Sequence, residues 1–290
     1  MALGNFDGFH AGHQAVVGRA IARAKAEGRP AIVATFDPHP MRLFRPDTPS
    51  FRLTTLDQRE ALFARAGADA MMIFDFTPAL AALEPADYVR LLSEDMGVTA
   101  VVTGEDFTFG RARSGTIESF AALGLPAEAV APVTDGEGVI SSPRVRAALR
   151  AGDWATATRL LTRPFTIEGL VQHGDKLGRT IGFPTANIDM GPYLRPAYGI
   201  YAVRGRLSDG RVLDGAANLG IRPSFDPPKE LREPHFFDFS ESLYGERVAV
   251  ELVHYLHAER KYDGLEALTA GIAQDCADAR QILAGTPTLA

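Results

Sequence analysis

Apolar positions in the first half of the chain follow two periods in alternation. Val16, Val17, Ala20, Ile21 and Ala24 recur at helical spacing, and Glu27-Gly28-Arg29-Pro30 is the stop signal behind them. Ala31-Ile32-Val33-Ala34-Thr35-Phe36 is a short apolar run of the kind buried on both faces of a parallel sheet. Asp57 and Glu60 have the spacing of a capping box and predict a helix start. Residues 70–74 predict a second strand, 85–96 a helix and 99–103 a third strand. Strand, helix and strand at this spacing predict a doubly wound α/β sheet, whose ligands sit beyond the carboxyl ends of the strands. Ser142 suits an N-cap, and Pro143 the first position, of helical sequence running to about Leu161.

From Thr162 onward the helical period disappears. Residues 165–172, 199–205, 211–218 and 247–254 are β-rich runs separated by turn residues, which favours an antiparallel barrel or sandwich. Ser208-Asp209-Gly210 is a hairpin turn. One helix closes the chain, with Asp263 and Glu266 as its capping box ahead of the stripe Leu265, Leu268, Ile272, Ala279 and Leu283. The reading is two domains, 1–162 and 163–290.

Composition narrows the class. The 290 residues are 46% hydrophobic, enough for one large domain or two ordinary ones. A net charge of −6 argues against a general nucleic-acid binder, which carries a basic face. Such a chain meets polyanions only through local positive groups or a metal ion. The single Cys276 excludes an intramolecular disulfide and a multi-cysteine zinc site, and its place near the last apolar stripe predicts a buried packing residue. No apolar run approaches the roughly 20 residues that span a bilayer, and the first residues show no signal-peptide pattern. The expectation is a soluble, cytoplasmic protein with no membrane or nucleic-acid partner. A homo-oligomer is among the assemblies the sequence allows.

The chemistry concentrates in a few stretches. Gly4-Asn5-Phe6-Asp7-Gly8-Phe9-His10-Ala11-Gly12-His13 opens the first helix. Residues three apart share a helix face, so His10 and His13 lie side by side in its first turn. Free N–H groups and the positive end of the helix dipole point there too, a natural seat for phosphate, and Gly12 adds no side chain to block it. Two surface histidines capping an ordinary helix are the alternative. Asp37-Pro38-His39-Pro40 and Gly104-Glu105-Asp106-Phe107-Thr108-Phe109-Gly110 follow the first and third predicted strands, on the same sheet edge. Ser141, Ser142, Arg144 and Arg146 form a second phosphate grip, with a solvated arginine as the plain reading of Arg144.

In the second half, the stretch from Gly174 to Asn187 holds Gly174, Gly178 and Gly182 with Lys176 and Arg179. Such a loop exposes backbone N–H groups to phosphate, but lacks the Gly-Lys-Ser/Thr ending of a Walker A loop. Thr185 and Asn187, two apart, present oxygens on one face of an extended segment. Hard oxygen ligands plus ATP phosphates are what Mg²⁺ prefers.

These motifs carry a family resemblance. GNFDGFHAGH, FDPHP, GEDFTFG and ISSPRVR resemble the adenylyltransferase half of bacterial bifunctional riboflavin kinase/FAD synthetases, members of the H-x-G-H nucleotidyltransferases. Gly182-Phe-Pro-Thr-Ala-Asn187 resembles the riboflavin kinase signature. Asn218-Leu-Gly-Ile-Arg222-Pro-Ser-Phe225 and Arg232-Glu233-Pro-His-Phe-Phe-Asp-Phe239 support it. The resemblance implies a Rossmann-like nucleotidyltransferase domain followed by a β-barrel kinase domain with a C-terminal helix. It implies riboflavin, FMN, FAD and ATP as ligands. His10 and His13 would hold the ATP phosphates, Asn5 and Asp7 would shape the site, Ser142 and Arg144 would bind phosphate, and Asp106 would contact nucleotide or flavin. Glu233 would be the general base, with Asn218 and Arg222 at the ligand. Two departures are visible: Pro143 stands where the family has threonine, and His257 where it often has arginine.

Three functions fit this pattern. One is the bifunctional enzyme. Another is a riboflavin kinase whose first module is weak or inactive, for which Pro143 and the short lead of Met1-Ala2-Leu3 into the first loop speak. The third is a non-catalytic flavin-binding regulator, which has no use for Glu233, His10 and His13.

Overall fold

The computed structural model describes residues 1–173, 182–222 and 229–288, with only the backbone described at 221–222 and 229–232. The chain forms two compact units. The first comprises Met1–Pro49 and Thr54–Ser142, the second Ser50–Leu53 and Pro143–Ala290.

In the first unit, strands β1 (Ala2–Leu3), β2 (Ile32–Asp37), β3 (Ala70–Asp75), β4 (Val101–Gly104) and β5 (Ala127–Val130) make a five-stranded parallel sheet in the order β3-β2-β1-β4-β5. The predicted doubly wound sheet is present. Its centre is a strand of only two residues, with Ala2 paired to Val33 on one side and Val102 on the other. Alternation then sorts the core into two layers. Ala2, Val33 and Val102 join Val16, Val17 and Phe63, from helices α1 (Ala11–Ala26) and α3 (Leu56–Ala66). Leu3, Ala34 and Val101 turn the other way, toward Tyr88, Val89 and Phe120. Tyr88 and Val89 lie on α5 (Pro85–Arg90), and Phe120 on α6 (Ile117–Ala122). The short helices α2 (Pro40–Phe44) and α4 (Pro78–Ala81) complete the unit's connections.

Two local expectations shift. The capping box of α3 is formed by Thr55 and Gln58, not Asp57 and Glu60, because Thr55 Oγ1 accepts from Gln58 N while Gln58 Oε1 accepts from Thr55 N. The helix predicted over 85–96 is α-helical only to Arg90 and continues as a π-helical turn, Leu91–Asp95.

The second unit is a closed six-stranded antiparallel barrel with the order β10-β7-β6-β11-β8-β9. The strands are β6 (Phe165–Gln172), β7 (Asn187–Ile188), β8 (Gly199–Leu207), β9 (Val212–Arg222), β10 (Lys229–Phe236) and β11 (Arg247–His257). Ile167, Val171, Ile188, Tyr201, Val203, Leu219 and Val250 are buried and alternate with outward positions. Phe236 fills space that glycines leave: a Cβ on Gly205 would collide with its ring, and one on Gly215 would stand 3.1 Å from it. Helices α7 (Ser142–Ala151) and α8 (Trp154–Leu161) precede the barrel, and Trp154 meets Tyr201 edge-on at 5.1 Å. Ser50–Leu53 join this unit through backbone bonds from Arg52 N to Pro192 O and from Leu194 N to Arg52 O. Arg146 donates to Phe51 O and stacks over its ring.

The closing helix α9 (Leu265–Gly285) lays Ala279 and Leu283 on Ala202, Ala216 and Phe237. Asp263 and Glu266 do not cap it. Gly264, at φ +96°, is the N-cap and makes no side-chain bond, so Asp263 lies one residue too far out. At its other end the buried Arg204 donates to the carbonyls of Leu283, Thr286 and Pro287 and pairs with Asp214. Cys276 is half-buried at this interface, and burial pushes its thiol up to about 11.

Candidate active sites

In the first unit, the strand order reverses direction between β1 and β4, where doubly wound sheets bind their ligands. The loop after β1 fills that position. Phe6 (φ 49°) and Phe9 (φ 42°) both take left-handed backbone, which costs a residue other than glycine about 1 kcal/mol or more. Their burial offsets the cost: each packs edge-on against Phe63, at 5.8 and 5.1 Å. Asp7 is also buried, and its Oδ1 accepts from Thr54 N and Thr54 Oγ1, while Gly8 N donates to that same hydroxyl. Beneath the loop, the buried Arg59 donates to Asn5 O and Thr35 Oγ1. Asn5 Oδ1 is buried with no hydrogen-bond partner among the described residues, an acceptor left over for a ligand donor.

This frame places the two histidines. His10 is the N-cap of α1 and its Nδ1 accepts from His13 N at 3.4 Å, so the neutral ring carries its proton on Nε2. The His10 and His13 rings stack at 3.7 Å, as their spacing predicts, and Phe6 meets His13 edge-on. Gly12 also lets the His10 ring approach closely. A Cβ there would stand 3.1 Å from His10 Cε1 and 3.2 Å from Ile140 O, so glycine makes room for the ring. Asp37 ends β2 and Asp106 follows β4 at the same sheet edge, with Asp106 Oδ1 folded over Gly104. Ser142 Oγ donates to Asp7 O. Arg144 follows in the first turn of α7 and belongs to the second unit.

In the barrel, register assembles the second site. Glu233 on β10 pairs with Asn218 on β9. Arg232 pairs with Ile188, and Ala186 N donates to Pro234 O at 2.8 Å, which sets Asn187 opposite Glu233. Opposite residues on antiparallel strands point the same way, with Cβ atoms about 5 Å apart. Asn187, Glu233 and Asn218 therefore form one row. The row faces outward, since the neighbouring Pro234 and Ala217 are buried on the other face. Asn187 Oδ1 and Asn218 Oδ1 are both buried without a hydrogen-bond partner among the described residues. These orphaned hard oxygens suit a metal–phosphate ligand. Thr185 lies two residues before Asn187 on the same side, and Gly182 is a left-handed turn residue at φ +87°. Gly174, Lys176, Gly178 and Arg179 lie outside the described residues, as does the side chain of Arg222.

Comparison with known proteins gives the family of each half of the chain. A family model described as FAD synthetase matches residues 1–144, and one described as riboflavin kinase matches 161–283. A bifunctional riboflavin kinase/FMN adenylyltransferase of Bacillus subtilis is 36% identical over 284 residues, 95% of this chain and 89% of the relative. One from Pseudomonas fluorescens is 38% identical over 288 residues, 97% of this chain and 92% of the relative. The chain belongs to the bifunctional riboflavin kinase/FMN adenylyltransferase family. A crystal structure described as a macrolide-efflux protein from Streptococcus pneumoniae has a TM-score of 0.88 at 30% identity, covering 96% of this chain and 93% of that one. No helix among the described residues is long and apolar enough to cross a membrane.

For a member of this family, several positions were missing from the sequence reading. Thr54 and Arg59 hold the H-x-G-H loop from α3 and the segment before it, and a polar residue in a helix flank gives no hint of that. Glu259 sits over Gly220, where a Cβ would collide with its carboxylate, and so shares the outer face with Asn218. His257 turns to α9: its Nε2 lies 2.7 Å from Asp275 Oδ1 and its Nδ1 2.8 Å from Ala258 O.

Proposed function

We propose that the chain phosphorylates riboflavin to FMN with ATP in its barrel and adenylylates FMN to FAD in its Rossmann-like unit, releasing pyrophosphate. The observation that carries this is the match of two separate family models, FAD synthetase over residues 1–144 and riboflavin kinase over 161–283, to the two halves of one chain. We assign the adenylyltransferase function to residues 1–162 and the kinase to 163–290.

In the kinase step, the riboflavin 5′-hydroxyl attacks the γ-phosphorus of ATP, ADP leaves, and Glu233 takes the hydroxyl proton. Thr185 and Asn187 would hold Mg²⁺, which supplies charge neutralisation at the phosphates when bound. Among the described residues no group of three or more His, Cys, Asp or Glu could hold a metal alone. In the adenylyl transfer, an FMN phosphate oxygen attacks the α-phosphorus and pyrophosphate departs. No protein nucleophile is needed; positioning and charge stabilisation suffice. His10 Nε2–H, His13 and the N-terminus of α1 steady the negative charge, with Ser142 and Arg144 as a second grip on phosphate. We assign Asn5, Asp7, Gly12 and Asp106 to this site, and Asn218, Arg222 and the glycine-rich stretch with Gly174, Lys176, Gly178, Arg179 and Gly182 to ligand binding in the kinase.

Soluble metabolites as partners and a net charge of −6 support a cytoplasmic location and no role on nucleic acid. The test is a chromatographic product assay with riboflavin, ATP and Mg²⁺, run in parallel with FMN in place of riboflavin. FAD from both is the expected result. FMN without FAD would leave the kinase alone, with Pro143 as the first residue to revert to threonine.

A further inference from the structure

We propose that His235 is a positioning residue of the kinase, whose imidazole clamps the segment bearing Thr185 and Asn187 in register with Glu233. His235 Nδ1 lies 2.8 Å from Pro184 O. A carbonyl can only accept, so Nδ1 carries the proton in this bond. The ring also meets Phe183 edge-on at 5.5 Å and Phe237 at 5.9 Å, which fixes its plane.

The need for such a clamp follows from the backbone. Strand β7 is two residues long, and the ladder to β10 ends with Ala186 N on Pro234 O. Pro184 has no N–H and cannot add another rung. Beyond Ala186, nothing in the ladder would hold Thr185 opposite β10. His235 stands opposite Thr185 on the same face as Glu233, and its ring reaches the one backbone acceptor that Pro184 offers. A side chain thus replaces the missing rung, and the spacing between Thr185, Asn187 and the Glu233 carboxylate depends on it.

The proposal rests on the kinase roles assigned to Glu233, Thr185 and Asn187, so the experiment separates the two. His235→Phe keeps ring packing and removes the donor; His235→Asn restores an N–H near the Nδ1 position. Mn²⁺ binding in the presence of ADP, followed by electron paramagnetic resonance, should weaken about tenfold in His235→Phe, and riboflavin phosphorylation should fall roughly 10- to 100-fold. His235→Asn should recover most of both. Adenylylation of added FMN should stay at the wild-type level in each variant and shows that the protein is intact. Wild-type Mn²⁺·ADP affinity in His235→Phe, or an Asn variant no better than Phe, would overturn the clamp. A wild-type protein that makes no FMN would instead overturn the kinase reading beneath it.

Discussion

Arg204→Met separates the worth of one buried guanidinium from everything around it. The side chain is 5% exposed and makes bonds of 2.8, 2.5 and 2.9 Å to the carbonyls of Leu283, Thr286 and Pro287, at the end of α9. A cation is favoured at a helix C-terminus, where the last carbonyls lack intrahelical donors. Hydrogen bonds to a charged group are each worth about 1.5–3 kcal/mol. The methionine no longer carries a desolvated charge, which offsets part of that sum. The Asp214 ion pair adds little, because Asp214 is half exposed. A net loss of about 3 kcal/mol remains, and for a unit of this size each kcal/mol moves Tm by roughly 2–4 °C, so the shift should be about 6–12 °C. The assay is unusually clean: the chain's single tryptophan, Trp154, packs on Tyr201, so its fluorescence follows the barrel unit. Arg204→Lys, with its donors on one nitrogen, should fall between the two. A fluorescence midpoint within 2 °C of wild type for Arg204→Met would refute the reasoning.

Four further outcomes are expected. Glu233→Ala should abolish riboflavin phosphorylation and spare adenylylation of added FMN, while His13→Ala should do the reverse; loss of both activities in a folded variant would contradict two separate sites. Gly12→Ala should press on the His10 ring and Ile140 O and lower FMN adenylylation about tenfold or more, measured as pyrophosphate release, with the kinase unchanged. Tyr88→Phe should leave stability unchanged or raise it by up to about 1 kcal/mol by denaturant titration, because the buried Tyr88 hydroxyl has no partner among the described residues. Burial raises the Cys276 thiol to about 11, so at pH 8 only about 0.1% is thiolate and alkylation should be slow, accelerating as pH rises or the chain unfolds.

The parts legible in the sequence are those set by local chemistry. The 3.6-residue stripe of α1 and the apolar run of β2 are fixed by spacing, and the His10–His13 stack follows from a three-residue interval. Register is a different matter. Nothing local to Asn187, Asn218 or Glu233 says that they share one row, because a barrel aligns them across a separation of 46 residues between the first and last. Strands β7 and β10 show no strand pattern of their own, the one being two residues long and the other interrupted by Pro234. The capping of α3 by Thr55 turned on a competition between two neighbouring boxes, which only the turn geometry decides. For α9, Gly264 won the cap through its positive φ.

The four residues 50–53 bear on how this chain could be cut or recombined. They belong to the barrel's unit while the residues on both sides belong to the other. Phe51 and Leu53 are 4% and 2% exposed, and Arg52 pairs with Tyr193. A fragment beginning at Pro143 would therefore lack two buried side chains, one of them the ring beneath Arg146, each worth about 1.5–3 kcal/mol of burial. The two catalytic halves are distinct in chemistry yet not modular as strings of sequence. Exchange of one half between relatives should succeed only when residues 50–53 travel with the barrel they complete.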